Sequence, residues 1–110
     1  MKLTTAQQRA LIADFKKVVS DFYGNRLAKI ILYGSYARGD FHEESDIDFL
    51  VVLKGENIKK YQEILKLSEV VHPLILKHDV EISYQPYSLS KFMDEKSPLL
   101  FWVKKEGVEV

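Results

Sequence analysis

A chain of 110 residues with 46% hydrophobic content builds one core and buries roughly two thirds of its unfolded surface, so residues 1–110 read as a single domain. Sixteen basic residues balance sixteen acidic ones, which leaves no basic excess to neutralise phosphates and argues against direct binding of duplex nucleic acid. The absence of cysteine excludes disulfides, thiolate metal sites and a Cys nucleophile; no apolar run nears the roughly 18 residues that span a bilayer, and MKLTTAQQRA has no signal-peptide core, so no membrane association and a cytoplasmic location are expected.

In chain order, Thr4 or Thr5 can cap a first helix, with Gln8 three residues after Thr5 as in a capping box. Leu11, Ile12, Phe15, Val18, Val19 and Phe22 recur at helical spacing and predict one buried stripe, which Gly24 ends. Leu27 to Tyr33 is an apolar, β-rich run read as a buried strand and broken by Gly34 and Ser35. Ile47 to Leu53 reads as a second strand, ended by Gly55. From Asn57, residues Ile58, Tyr61, Ile64, Leu65 and Leu67 form a helical pattern that Pro73 kinks or stops.

Val80 to Tyr84 alternates as a strand and stops at Pro86, Ser88 caps a short helix through Phe92, and Ser97-Pro98 opens a last helix in which Leu99, Leu100 and Val103 pack inward before Gly107. This order of elements predicts an α+β (α/β two-layer) fold, a small mixed sheet covered by helices.

The chemistry concentrates in GSYARGDFHEESDIDFLVV, from Gly34 to Val52. A glycine directly after a buried strand lets the backbone turn sharply and lets a ligand approach with no Cβ in the way. If a helical turn follows, its free N–H groups suit an anion, and the Ser35 hydroxyl and Arg38 can add contacts to phosphate oxygens. Arg38 can equally pair with Asp40 or Glu44. Asp46 and Asp48 stand two apart on a strand, on one face and about 6.6–6.8 Å apart along the chain. Such carboxylates can converge on divalent ions held about 3.5–4 Å apart. Mg²⁺ takes oxygen ligands and keeps water and phosphate in its remaining positions. A third carboxylate completes the set, and Glu81, interrupting the apolar pair Val80 and Ile82, is preferred over Asp79. His42, His72 and His78 show no ligand spacing, and Phe101 and Trp102 on the last helix are either core or a protein interface.

Gly34-Ser35-x-Ala37-Arg38-Gly39, six intervening residues, then Asp46-x-Asp48 resembles the signature of the polymerase β-type nucleotidyltransferase superfamily, and within it the minimal nucleotidyltransferase (MNT) group that includes the MntA-like antitoxins of HEPN/MNT toxin–antitoxin systems. The resemblance covers nearly the whole chain. It departs at the third carboxylate, often Asp in the family and Glu81 here. What it implies is a metal-dependent transfer of AMP from ATP. Asp46, Asp48 and Glu81 would be the catalytic metal ligands for two Mg²⁺ ions, and Gly34, Ser35, Arg38 and Ser45 would bind the nucleotide.

By kinship the acceptor is a hydroxyl on a partner protein, a separate HEPN-type toxin, in a homo- or hetero-oligomer. Two alternatives stand beside it: an antitoxin that masks its partner with little catalysis, and an enzyme adenylylating small molecules of the aminoglycoside type.

Overall fold

The computed structural model describes residues 2–55, 58–94 and 96–110. Helix α1 (Thr5–Tyr23) starts at Thr4, whose hydroxyl accepts from the Gln7 N–H at 3.1 Å while the Gln7 side chain accepts from the Thr4 N–H at 2.8 Å. The capping box therefore sits one residue earlier than the expected Thr5/Gln8 pair. Gln8 instead donates its side-chain amide to the Leu3 carbonyl at 3.1 Å, and Leu3 is buried in the core just before the helix. The buried stripe is Leu11, Phe15, Val19 and Tyr23, with Phe22 turned outward at 40% exposure and Ile12 and Val18 flanking the core. Gly24, at φ 55, takes the backbone out of the helix into one 3-10 turn, Gly24–Arg26.

Strands β1 (Leu27–Tyr33) and β2 (Ile47–Leu53) pair antiparallel, joined through the one-turn helix α2 (Ser35–Arg38). Helix α3 (Lys60–His78) leads to β3 (Ile82–Ser88), which pairs parallel with β2, and α4 (Leu89–Met93) and α5 (Pro98–Glu106) follow. A two-residue strand, β4 (Val108–Glu109), closes the order β3-β2-β1-β4. The sheet is mixed, as expected. A strand of two residues carries too little alternation to be read from sequence.

Alternation along β2 divides the interior. Ile47, Phe49, Val51 and Leu53 pack with α1 and α3. Leu50 and Val52 face the opposite side, where Phe92 of α4 and Leu100 and Val103 of α5 cover them. The Phe15 and Phe49 rings stack with centroids 3.9 Å apart, both fully buried, and tie the first helix to the central strand. No helix among the described residues is long and apolar enough to cross a membrane.

Three expectations about the middle of the chain change. The start expected at Asn57 lies outside the described residues, and the helix begins at Lys60. Its buried face is Glu63, Leu67, Val71 and Leu74, while Tyr61 and Leu65 are exposed. Glu63 can be buried because the Tyr23 hydroxyl donates to it at 3.2 Å and Arg26 at 3.1 Å. Pro73 neither ends nor visibly interrupts α3; it lies on the exposed face with Glu69 one turn before, whose carbonyl, deprived of its usual donor, can turn to water. Pro86 likewise lies inside β3, an edge strand in which a missing donor on the open side breaks no ladder.

The stacked core pair gives a direct test: Phe15→Ala should cost about 3–5 kcal/mol, whereas Phe22→Ala should stay within about 1 kcal/mol. Urea unfolding midpoints of the two variants measure the difference.

Candidate active site

The site begins where β1 runs out. Gly34 adopts φ 77, ψ −158, a conformation that favours glycine, and the chain turns at once into α2. The N–H groups of Ala37 and Arg38 both return to the Gly34 carbonyl, each at 3.1 Å, and Gly39, left-handed at φ 86, closes the turn onto the Ser35 carbonyl at 2.8 Å. In a helical turn the earliest N–H groups, those of Ser35 and Tyr36 here, have no acceptor within the turn. Gly34 meets a second demand as well: a Cβ there would collide with the Asp48 carboxylate. The glycine-serine bend and the Asp-x-Asp segment, expected from sequence to meet, are in contact.

Strand register fixes what surrounds Asp48. It lies across from Tyr33 on β1 and from Ser83 on β3, so these three side chains form one row on the sheet face that α4 and α5 cover farther along. Ser83 was not singled out from the sequence, because its role depends on register. Burial pushes the Asp48 carboxyl up to about 6, with the nearby Asp46 charge adding to the effect, while Ser83 and the positive charge of Arg38 pull the other way.

Asp46 precedes β2 and is exposed. One step before the Ile47–Ile82 pair, its neighbour across the strands is Glu81, whose carbonyl accepts from the Ile47 N–H at 3.1 Å. Ser45, Asp46, Asp79 and Glu81, with Ile75 and Leu76 from the end of α3, line a cleft of about 380 Å³.

The candidates therefore fall into two neighbouring groups. Gly34, Ser35 and Asp48 gather at the bend, and Ser45, Asp46 and Glu81 line the cleft. Among the described residues no three His, Cys, Asp or Glu side chains group together as ligands of one metal ion. Glu81 does not join Asp46 and Asp48 in such a cluster, since the β3 residue facing Asp48 is Ser83. Arg38 turns from the bend to ion pairs with Asp40 and with Glu106 of α5, each at 3.1 Å, which realises one of its two expected roles. Ser45 is part of a turn, accepting from the His42 N–H at 2.8 Å.

The residues present nonetheless fit a hard divalent cation. The donors at hand are carboxylates and hydroxyls, with phosphate and water able to fill a coordination shell. The half-buried Asp48 carboxylate, unfavourable beside Asp46, would gain most from a cation.

This strain has a stability signature. The folded protein keeps a proton on Asp48 up to about pH 6, whereas the ordinary carboxyl releases it near 3.8, so the associated stability is full below 3.8 and is lost as pH rises through 6. Asp48→Asn should therefore stabilise the metal-free protein at pH 7.5, on the order of 1–2 kcal/mol allowing for the partial exposure of the group. The gain should shrink towards pH 4. Thermal denaturation of both proteins across this range measures it.

Comparison with known proteins identifies the family. Residues 12–105 match the family described as "Nucleotidyltransferase domain". The Methanocaldococcus jannaschii protein named "Putative protein adenylyltransferase MJ0141" is 38% identical over 104 residues, covering 91% of this chain and 95% of that protein. Among solved structures, a toxin–antitoxin crystallised with AMP-PNP superposes with a TM-score of 0.57 at 24% identity, over 88% of this chain and 69% of that one. A mutant of the MntA–HpeT toxin–antitoxin pair gives 0.52 at 21% identity, over 86% and 70%. These two likenesses establish a shared fold. By its family match and by a relative matched over nearly its whole length, the chain belongs to the nucleotidyltransferase domain family and is a nucleotidyltransferase.

Proposed function

We propose that the chain transfers AMP from ATP to a hydroxyl group of a partner protein, and that the partner is a HEPN-type toxin neutralised by the modification. The observation that carries the reading is the contact between the Gly34 bend and the Asp48 carboxylate, which joins a phosphate-sized turn to an acidic side chain that favours a cation. The name of the 38% identical relative and the AMP-PNP in the structural neighbour support the substrate and the acceptor class. Phe101 and Trp102 of α5, about half exposed, offer apolar surface of the kind that partner proteins cover. ATP as substrate suits a cytoplasmic setting.

In this reading Asp46 and Asp48 would hold Mg²⁺, two ions by the family resemblance, and Glu81 would contribute from the cleft side. The chemistry supplied by the bound ions is neutralisation of phosphate charge and activation of the acceptor hydroxyl. The N–H groups and hydroxyl at Ser35 receive the β and γ phosphates. Arg38, exposed and held by surface ion pairs of small net value, can exchange Glu106 for a phosphate oxygen, and Ser45 lies at the cleft edge to contact the nucleotide. The acceptor oxygen bonds to the α-phosphorus, the bond to the bridging oxygen breaks, pyrophosphate departs and the hydroxyl proton is released.

With ATP labelled at the α-phosphate, Mg²⁺ and the protein encoded beside it, the chain should label that partner, and ATP labelled at the γ-phosphate should leave it unlabelled. Asp48→Asn should lower the label about a hundredfold or more, the loss of several kcal/mol of metal-assisted stabilisation. An unlabelled partner, while an active relative labels its own, would refute the reading.

The separation of Glu81 from Asp48 favours one second reading, an antitoxin that masks its partner with little catalysis. Under it, Asp48→Asn would neutralise the partner as well as the native chain does. Loss of neutralisation with the complex intact would exclude it.

A further inference from the structure

The row Tyr33, Asp48 and Ser83 contains more order than metal ligation alone requires. Directly opposed residues on paired strands have Cβ atoms about 4.5–5.5 Å apart, so both hydroxyl side chains flank the carboxylate from fixed backbone positions. Ser83 lies close enough to both the Asp48 carboxylate and the Tyr33 hydroxyl to act on their ionisation. A phenol ordinarily keeps its proton at neutral pH and can donate it. A serine hydroxyl has one proton. Donating it to the ionised Asp48 leaves the Ser83 oxygen to accept from the Tyr33 O–H, which makes a directed chain from Tyr33 through Ser83 to Asp48. Each donation polarises the next, and the free oxygen of Asp48 is left for a cation.

We propose that Ser83 is a positioning residue for Asp48: its hydroxyl, itself oriented by Tyr33, fixes the carboxylate rotamer and leaves one oxygen facing the metal site. The backbone register on both sides of β2 sets the arrangement before any ligand arrives. The inference rests on the reading of Asp48 as a metal ligand and adds how that ligand is held.

The test is Mn²⁺ binding to the full chain, followed through the electron paramagnetic resonance of free Mn²⁺, with Ser83→Ala, Ser83→Thr and Asp48→Asn alongside the native protein. Ser83→Ala should weaken Mn²⁺ binding about tenfold, as loss of a hydrogen bond to a ligand does, with an unchanged circular dichroism spectrum. Ser83→Thr, which keeps the hydroxyl and suits a strand, should restore binding. In nucleotidyl transfer the Ala variant should need proportionately more metal for half-maximal rate, while the KM for ATP at saturating metal stays as in the native chain. Native binding by Ser83→Ala, or equal impairment of the Ala and Thr variants, would overturn the proposal while leaving Asp48 as a ligand. Equal Mn²⁺ binding by Asp48→Asn and the native chain would remove both readings together.

Discussion

A carboxylate held half-buried against a glycine is the constraint on which this molecule turns. Asp48 lies near the start of the central strand, flanked by β1 and β3, and Gly34 leaves the space its oxygens occupy. Any larger residue at position 34 would meet the carboxylate, and its backbone would also resist the left-handed φ of 77. Two requirements, one steric and one conformational, thus select the same residue. The hydrophobic framework holds this carboxylate in place: the Phe15–Phe49 stack anchors the residue next to Asp48, so the carboxylate cannot retreat into water without disturbing the core.

The same geometry explains why stability and function pull apart at this position. A half-buried carboxyl beside a second acid raises the free energy of the folded, metal-free protein above pH 6, and that cost is what a cation can relieve. Elsewhere the chain pairs its less exposed carboxylates internally. Glu63 is held by Tyr23 and Arg26 and serves to fasten the end of α1 to α3. Asp14 is held by Lys77 and His78, which keep its carboxyl below the ordinary range and join the first helix to the end of the third. Asp48 differs from Asp14, being shifted in the direction that favours losing its charge.

Much of this was legible in the sequence because local signals and tertiary roles coincided. The strand limits at Leu27–Tyr33 and Ile47–Leu53, the glycine bend and the Ser88 cap each have a local chemical cause and emerge where expected. The misreadings share another cause, namely dependence on partners distant in the chain. Phe22 and Tyr23 are both plausible stripe residues, and the choice is made by Glu63 forty positions later, which takes the Tyr23 hydroxyl. Pro73 and Pro86 break regular structure only where their missing donor is needed, and an exposed helix face and an edge strand do not need it. The placing of Ser83 opposite Asp48, and of Glu81 beside Asp46, is likewise set by the parallel register of β2 and β3. A single sequence holds no direct record of register.

Pro86 has a consequence beyond its tolerance in β3. Bordering strands of a sheet offer a row of free donors and acceptors that invites another chain to zip on. Along one border of this sheet the row is interrupted at a residue with no N–H to give, and the opposite border is a two-residue strand bearing Glu109. Neither margin presents a long template for strand addition, so the sheet is protected from uncontrolled stacking into fibres while its helical faces stay available for regulated encounters.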